Sequence, residues 1–524
     1  MLADRCREID TAIVGGGVTG MYCAWRLMED PSRRASSVEV FEQGTRTGGR
    51  LWSVTLGEEQ AIPAELGGMF FSDAQDLVYR LCSNVLGLKR QAVTPHSDLA
   101  WLRGRRFSLR DFAEPGVLPY ALSEDEQGLQ GHELLLLAVR RIVPGLDTVW
   151  PLNPSASLSD TVRLLREASF DGVPLYRWGF WNLLARVISN EARMCLSDTQ
   201  GTYALYSNWN AQEAVFSVLS DLTGNWFRLP DGYDQLPHAL QGRAEAAGAV
   251  THLEHRLLEV SDVATDGYRT LHFAVGDGCV QVRAKRVILT LSSGALQRLV
   301  WSISDEFQKA LAASDGVAAS KIFLAYENPW WEQVSSGPGH IGLGQFSASH
   351  TDLPMRQCFY LGQDEKSGQA LLLGSFPDMR AVPFWAALRN EGSDEVKLSG
   401  PLPARMAAEL TRQLSELHSV EVPEPLAGVF VDWDQAPYFG GWHAWRVGAE
   451  AWRVAERLRA SQDDPGLHVC GETYGAWQGW VEGALTSAEA LLSGPFGLAA
   501  PTWLAGSDCL APYQFHSELS LALP

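Results

Sequence analysis

The chain has 524 residues, more than a single hydrophobic core usually supports, so we expect two or three domains. With 46% hydrophobic and 20% charged residues, its composition is that of an ordinary globular protein. The formal net charge of −20 argues against a general nucleic-acid partner and against an anionic membrane surface, because both require a basic footprint. The 8 cysteines are dispersed, without a Cys-x-x-Cys pair or a His/Cys cluster, so we expect neither a metal site nor a disulfide framework.

No leader pattern precedes the first predicted strand, and the apolar run from Leu134 to Val143 is broken by Arg140 and Arg141. That run therefore predicts an amphipathic helix rather than a membrane span. Together with the cysteine pattern, this favours a cytoplasmic protein. Whether the chain forms a homodimer stays open.

The first fifty residues hold the most informative motif. Asp10–Val14 predicts a short buried strand, and a helical pattern of apolar residues begins at Met21. Between them lie three glycines in the spacing G-x-G-x-x-G, namely Gly15, Gly17 and Gly20. Val38–Glu42 predicts a second strand that ends in an acid. This order is typical of a dinucleotide site, in which the glycine turn and helix N-terminus face a pyrophosphate and the acid accepts a ribose hydroxyl.

The remaining elements alternate between strand and helix patterns. Strand patterns cover Val250–Leu257, Arg286–Leu291, Lys321–Tyr326, Ala370–Phe376, Ala427–Trp433 and Gly466–Gly471, and helical patterns cover His132–Val143, Leu158–Ala168 and Pro403–His418. We expect an α/β fold with a discontinuous Rossmann-like nucleotide-binding domain, a mixed α+β substrate-binding domain and a helical insertion. The predicted boundaries are 1–90, 230–298 and 464–492 for the nucleotide-binding domain, 91–229 for the helical region, 299–463 for the substrate-binding domain and 493–524 for a tail.

A second glycine pair, followed by Arg50, lies just beyond the acid, in the sequence Gly-Thr-Arg-Thr-Gly-Gly-Arg. This stretch resembles the FAD site of the flavin amine oxidase family, which includes monoamine oxidases, polyamine oxidases and L-amino acid oxidases. The resemblance implies that Gly48, Gly49 and Arg50 lie along the FAD phosphates and the flavin. The chemistry agrees, since glycine permits close approach and arginine pairs with phosphate oxygens.

Four later segments resemble the same family in the same order, Ala64–Met69, Leu253–Leu257, Lys321–Trp331 and Gly471–Ala484. In the family, the first passes the isoalloxazine ring, and the second ends at the adenine end of FAD. The third carries the active-site lysine, with Pro329 and Trp331 spaced from Lys321 as in monoamine oxidases. The fourth is the closing signature, with Gly-Glu and Gly-Trp spaced as in L-amino acid oxidases. The implied cofactor contacts are Gly15, Gly17, Gly20, Glu42, Gly49, Arg50, Gly67, Gly68, Met69, Leu257, Gly471, Glu472, Gly479, Trp480 and Val481.

The resemblance also implies catalytic roles for Lys321, Trp480 and His443. The family lysine holds a water near flavin N5, and Trp480 matches one wall of an aromatic cage. Pro437–Trp445 resembles the segment of the other wall, with His443 where monoamine oxidases have a tyrosine. Trp442 falls where they have the cysteine that bonds FAD, so we expect non-covalent FAD.

We expect an oxidase that converts an L-amino acid and dioxygen to a 2-oxo acid, ammonia and hydrogen peroxide, nearest to bacterial L-amino acid oxidases. Phe70 keeps alternatives open, because the family's L-amino acid oxidases have a carboxylate-binding arginine there. The alternative functions are an oxidase of primary amines or polyamines, a decarboxylating amino acid 2-monooxygenase and a non-catalytic flavoprotein. Phe70 would favour aromatic or large apolar substrates. The expected substrate contacts are Phe70, Trp442, His443, Arg446 and Trp480, with His443 and Arg446 as candidates for the carboxylate.

Overall fold

The protein is described by a computed structural model covering residues 7–33, 36–56, 62–94, 97–129, 131–203, 209–334, 343–389 and 402–514. The strands are β1 (Arg7–Val14), β2 (Val38–Phe41), β3 (Ser53–Val54), β4 (Ala64–Glu65), β5 (Phe71–Ser72), β6 (Gln91–Val93), β7 (Ser97–Leu102), β8 (Arg105–Ser108), β9 (Ser169–Phe170), β10 (Val173–Pro174), β11 (Trp226–Arg228), β12 (Val250–His252), β13 (Arg256–Val260), β14 (Arg269–Val275), β15 (Gly278–Leu289), β16 (Val300–Trp301), β17 (Ser314–Val317), β18 (Ser320–Tyr326), β19 (Ala348–Thr351), β20 (Gln357–Gln363), β21 (Ala370–Ser375), β22 (Ala427–Asp432), β23 (Trp442–Trp445) and β24 (Leu467–Val469). The helices are α1 (Val18–Glu29), α2 (Asp76–Arg80), α3 (Gly131–Ile142), α4 (Leu158–Glu167), α5 (Phe180–Val187), α6 (Asn190–Thr199), α7 (Ala211–Asp221), α8 (Gln235–Ala246), α9 (Ser293–Leu296), α10 (Asp305–Leu311), α11 (Val382–Ala386), α12 (Ala404–His418), α13 (Ala451–Arg459) and α14 (Val481–Ser493).

The first large sheet has the strand order β12-β2-β1-β15-β14-β13-β16, with β24 paired to the second half of β15. β1 runs parallel to both β2 and β15, and β2 is buried on both faces, as expected inside a parallel sheet covered by helices. Helices α1, α8 and α14 cover it. Buried Glu489 of α14 accepts hydrogen bonds from Arg26 and Tyr22 of α1, which fixes these two helices to each other. Three distant parts of the chain thus build one sheet.

The second large sheet has the order β22-β18-β21-β20-β19-β7-β8. Its strand β18 is buried along its whole length and pairs antiparallel with β21 and β22. A small sheet of the order β5-β11-β6 shares a hydrophobic core with it, through Phe70 and Trp226. This packing places the start of β18 near the chain that follows β4.

Helices α3–α7 lie in the chain between β8 and β11, and their buried residues share one hydrophobic core with the first sheet. α4 begins with a capping box in which Ser157 and Asp160 bond each other's backbone, and its buried residues follow helical spacing. The chain after α14 packs irregularly against α4, since Arg166 donates to the carbonyls of Pro512 and Gln514. In the described ranges, no helix combines the length and apolar character needed to cross a membrane.

The predicted α/β fold class is confirmed, and most predicted elements lie within one or two residues of the observed ones. Helix α12, for example, covers Ala404–His418 where Pro403–His418 was predicted. The predicted domain boundaries stay predictions.

Candidate active site

The glycine turn between β1 and α1 leaves no room for a side chain at Gly15 or Gly20. A Cβ on Gly20 would lie 2.0 Å from the carbonyl oxygen of Gly15, and Gly15 itself has a φ of +111°. A Cβ on Gly17, in contrast, would meet only the Cα of Gly49, at 3.9 Å. Gly17 also bridges to Gly48, so the two glycine motifs lie side by side. The open space at the uncapped N-terminus of α1 fits a phosphate group.

Glu42, at the end of β2, is fixed beside this turn. Its carboxylate accepts hydrogen bonds from the N–H groups of Gly16, at 2.7 Å, and Gly44, at 2.8 Å. The N–H of His255 donates to the carbonyl of Glu42 at 2.8 Å, which brings the strand of Leu257 to the same edge. A carboxylate offers about four acceptor positions, so Glu42 keeps capacity for a ribose hydroxyl.

Arg50 and Glu472 form an ion pair, with 2.7 Å between Nη1 and Oε2. Glu472 also accepts from the N–H of His443, at 3.0 Å, from its ring Nδ1, at 2.7 Å, and from the N–H of Gly479, at 2.7 Å. Burial opposes ionisation, but Arg50 and His443 nevertheless hold the pKa of Glu472 well below its ordinary value. These four donors fill the acceptor positions of the carboxylate. The side-chain oxygens of Glu472 are therefore already bonded, and the expected contact of Glu472 with FAD stays a prediction. Glu472 holds Arg50, whose bonds to Glu472 and to the carbonyl of Gly441 both use Nη1.

His443 and Arg446, the candidates for the substrate carboxylate, both bond to other protein groups. The His443 side chain is fully buried, its Nδ1 faces Glu472, and its Nε2 accepts from the N–H of Ser293 at 3.3 Å. Burial lowers the pKa of His443, so the ring is a neutral support for Glu472. Arg446 is half exposed and forms an ion pair with Asp315.

Lys321 is the second residue of β18 and is buried, with 2% of its surface exposed. Its Nζ donates to the carbonyl oxygens of Glu65, at 2.9 Å, and Gly67. Burial lowers the pKa of Lys321 to about 7, and the charge of Glu65 opposes this change. Burial also raises the pKa of Glu65 to about 7. An amine that can gain or lose a proton near neutral pH thus lies against the segment expected to pass the flavin.

That segment, Ala64–Met69, lies directly on the chain of the second glycine motif. The N–H of Gly68 donates to the carbonyl of Arg50 at 3.1 Å, and a Cβ on Gly67 would lie 1.7 Å from the same oxygen. The segment Ala64–Met69 therefore contacts both Lys321 of β18 and the backbone of Arg50.

Trp480 and Trp226 form an aromatic wall where α14 begins, and Trp442 lies near it beside Gly479. Trp480 is the N-cap of this helix, and its ring lies 5.2 Å from that of Trp226. Trp442 of β23 packs beside Gly479, which has a φ of +86° and stays exposed. Gly471 lies two residues after β24, with a φ of +130°, and Val481 is the first residue of α14, so the expected closing signature runs from β24 to this wall. Trp442, rather than His443, provides the aromatic face of β23.

Sequence reasoning missed Trp226 and Arg228. Both lie on β11, which has three residues and shows no periodicity from which it could be predicted. Arg228 donates through Nε to Gln91 at 3.1 Å, and its guanidinium lies 4.9 Å from the ring of Phe346. Their place in the site follows only from strand pairing.

The family described as flavin containing amine oxidoreductase matches residues 18–490. The chain is 26% identical to Aplysianin-A of Aplysia kurodai, over 94% of this chain and 91% of that protein. It is also 26% identical to an L-amino-acid oxidase of Mus musculus, over 91% of this chain and 69% of that protein.

Among solved structures, a double mutant of putrescine oxidase aligns with a TM-score of 0.65 at 18% identity, covering 94% of this chain and 100% of that one. Cyclohexylamine oxidase from Brevibacterium oxydans aligns with a TM-score of 0.65 at 18% identity, covering 93% and 99%. At this identity the structures show the fold. The match over residues 18–490 shows the family, and the chain belongs to the flavin-containing amine oxidoreductases.

Proposed function

We propose that the protein is an FAD-dependent L-amino acid oxidase that binds its cofactor non-covalently. The observation that carries this proposal is buried Lys321, whose Nζ bonds the carbonyls of Glu65 and Gly67 and lies 4.7 Å from the ring of Phe376. An ammonium or amine held in a dry, aromatic site next to a dinucleotide cradle suits amine oxidation. The similarity to an L-amino-acid oxidase over 91% of this chain supports the choice of an amino acid as substrate.

We expect FAD to lie along these residues. Glu42 would bind the ribose, the glycine turn and Arg50 the pyrophosphate, and the N-terminus of α14 would face the flavin. Bound FAD supplies the acceptor for the hydride of the amine-bearing carbon and passes two electrons on to dioxygen. The net reaction converts amino acid, water and dioxygen to 2-oxo acid, ammonia and hydrogen peroxide.

This chain's own residues control water and protons in that reaction. Trp480, Trp226 and Trp442 exclude bulk water and hold the substrate carbon against the reactive face. Lys321, with a pKa of about 7, gives and takes a proton at Nζ near neutral pH and anchors a water there. Glu472 keeps Arg50 directed at the phosphates.

A panel of amino acids and their decarboxylated amines, assayed for peroxide, ammonia and carbon dioxide, tests the proposal. An L-amino acid oxidase releases equal amounts of peroxide, ammonia and 2-oxo acid without carbon dioxide. Peroxide from amines alone supports the second candidate, an amine oxidase, which Phe70 favours because it replaces the family's carboxylate-binding arginine. Carbon dioxide with an amide product indicates the monooxygenase, and no product indicates a flavoprotein without this catalysis.

A further inference from the structure

Arg228 is brought to the aromatic wall by the pairing of β11 with β5. The register aligns Trp226 with Ser72 and Phe227 with Phe71, so the next step places Arg228 opposite Phe70. Directly paired residues in antiparallel strands project from the same face of the sheet, as do residues two apart along a strand. Arg228, Phe70 and Trp226 therefore share one face, and Trp226 meets Trp480 on it.

The guanidinium of Arg228 has neutral neighbours. Nε donates to the side-chain oxygen of Gln91, its opposite residue on β6, and the carbon of the guanidinium lies over Phe346. Within the described parts of the chain, its two Nη groups have no carboxylate or carbonyl as hydrogen-bond partner. Glu65 and Asp231 act on it only through longer-range attraction.

The two Nη groups of this partly buried guanidinium favour an anion as their partner. Arg228 is only partly exposed, and burial lowers its pKa from the ordinary value. Desolvating a guanidinium is unfavourable unless its donors are satisfied, and a planar carboxylate can accept from both Nη groups at once. An anionic group of the substrate would provide this.

We propose that Arg228 binds the α-carboxylate of the substrate. It would take the role of the arginine that the family's L-amino acid oxidases have at the position of Phe70. This inference rests on the proposed function, since it assigns the carboxylate subsite of the same active site. In this assignment the cation lies on the strand opposite Phe70 and on the same face of the sheet. Phe70 then provides an apolar floor beside the carboxylate rather than the charge itself.

Kinetics of Arg228→Gln on matched acids and amines test the assignment. The substrate pairs are L-phenylalanine with phenethylamine and L-lysine with cadaverine. We expect kcat/KM to fall roughly 100-fold for the amino acids and to change less than about threefold for the amines. Arg228→Lys should recover about tenfold, because it restores the charge without the bidentate geometry.

Arg90→Gln is the matched control. Arg90 lies over Phe227 and Tyr79 on the opposite face of the same small sheet and is exposed, so this variant should leave all four substrates unchanged. Equal losses on acids and amines, or no loss on either, would overturn the assignment of Arg228.

A binding measurement keeps this result separate from the proposed reaction. Titration of the holoprotein with 3-phenylpropanoate, followed by tryptophan fluorescence, needs no turnover. Arg228→Gln should weaken binding by about tenfold or more, while phenethylamine binding stays the same. Absence of any oxidation by the wild-type protein would reject the proposed function, whereas unchanged 3-phenylpropanoate binding in Arg228→Gln would reject the carboxylate site.

Discussion

Replacing Lys321 by methionine tests the role of the most deeply buried charge in the site. Methionine keeps the length of the aliphatic chain but removes the ionisable amine and its bonds to the carbonyls of Glu65 and Gly67. We expect FAD to remain bound, because Lys321 makes no bond to the glycine turn. Turnover with the best substrate should fall at least ~10-fold, which corresponds to about 1.4 kcal/mol of barrier.

Burial of Lys321 also predicts the direction in which stability changes with pH. The pKa of Lys321 is 10.5 in the unfolded chain, and burial lowers it to about 7 in the folded protein. Between these two values the unfolded state binds more protons, so the lysine's contribution to stability rises with pH. Its penalty is complete below pH 7, on the order of 5 kcal/mol, and is relieved above pH 10.5.

Methionine removes this penalty but leaves two carbonyls without a donor, at a cost of about 1–3 kcal/mol each. Near pH 7 the two effects on the free energy of unfolding nearly cancel. Toward pH 10 only the cost of the two carbonyls without a donor remains. Glu65 acts in a different window, since its raised pKa makes stability fall as the pH rises from 4.5 to about 7. Comparison between pH 7 and pH 10 therefore isolates Lys321.

The assay records unfolding midpoints of the wild-type holoprotein, Lys321→Met and the surface control Lys309→Met at several pH values. Lys309 is exposed on α10, where it pairs with Glu306. We expect Lys321→Met to become less stable relative to wild type as the pH rises from 7 to 10, with no such trend in the control. A constant difference across this range, together with unchanged turnover, would refute the reasoning and leave Lys321 as a packing residue.

Three further predictions concern the cofactor. Gly17→Ala should fold, because its Cβ meets only a Cα at 3.9 Å, but it should lose FAD because the methyl group occupies the space for the phosphates. The control Gly242→Ala, which has open space around its Cβ, should keep FAD. Equal flavin contents in the two variants would contradict this prediction. Glu472→Gln should weaken FAD binding ~10-fold or more by releasing Arg50, as measured by flavin fluorescence on titration, and unchanged affinity would count against the positioning role. Acid precipitation should release all yellow colour, because Trp442 stands where the family's linking cysteine does; flavin retained on the pellet would show a covalent bond.

The elements that the sequence predicts well are those with strong local causes. The turn around Gly15 and Gly20 is imposed by contacts between neighbouring residues, and β18 has an apolar run that can only be buried. The resemblance indicated Lys321 and Trp480. In the structure, Lys321 bonds the carbonyl of Gly67, and the ring of Trp480 packs against that of Trp226.

The features that sequence could not predict depend on pairing between distant segments. Arg228 lies opposite Phe70 because a three-residue strand pairs with a two-residue one, and neither is long enough to show a period of two. Glu472 matched a motif, but only the structure shows that Arg50, His443 and Gly479 already fill its acceptor positions. A motif identifies a residue type at a site; the partners that determine its role come from tertiary contacts.

Anaerobic mixing of the purified holoprotein with single amino acids tests the central claim most directly. The account predicts loss of the oxidised-flavin absorbance with at least one large L-amino acid, the formation of one 2-oxo acid per flavin, and recovery of the absorbance with release of peroxide when oxygen is admitted. A flavin that no amino acid bleaches, although the decarboxylated amines do, or one that neither class bleaches, would contradict it.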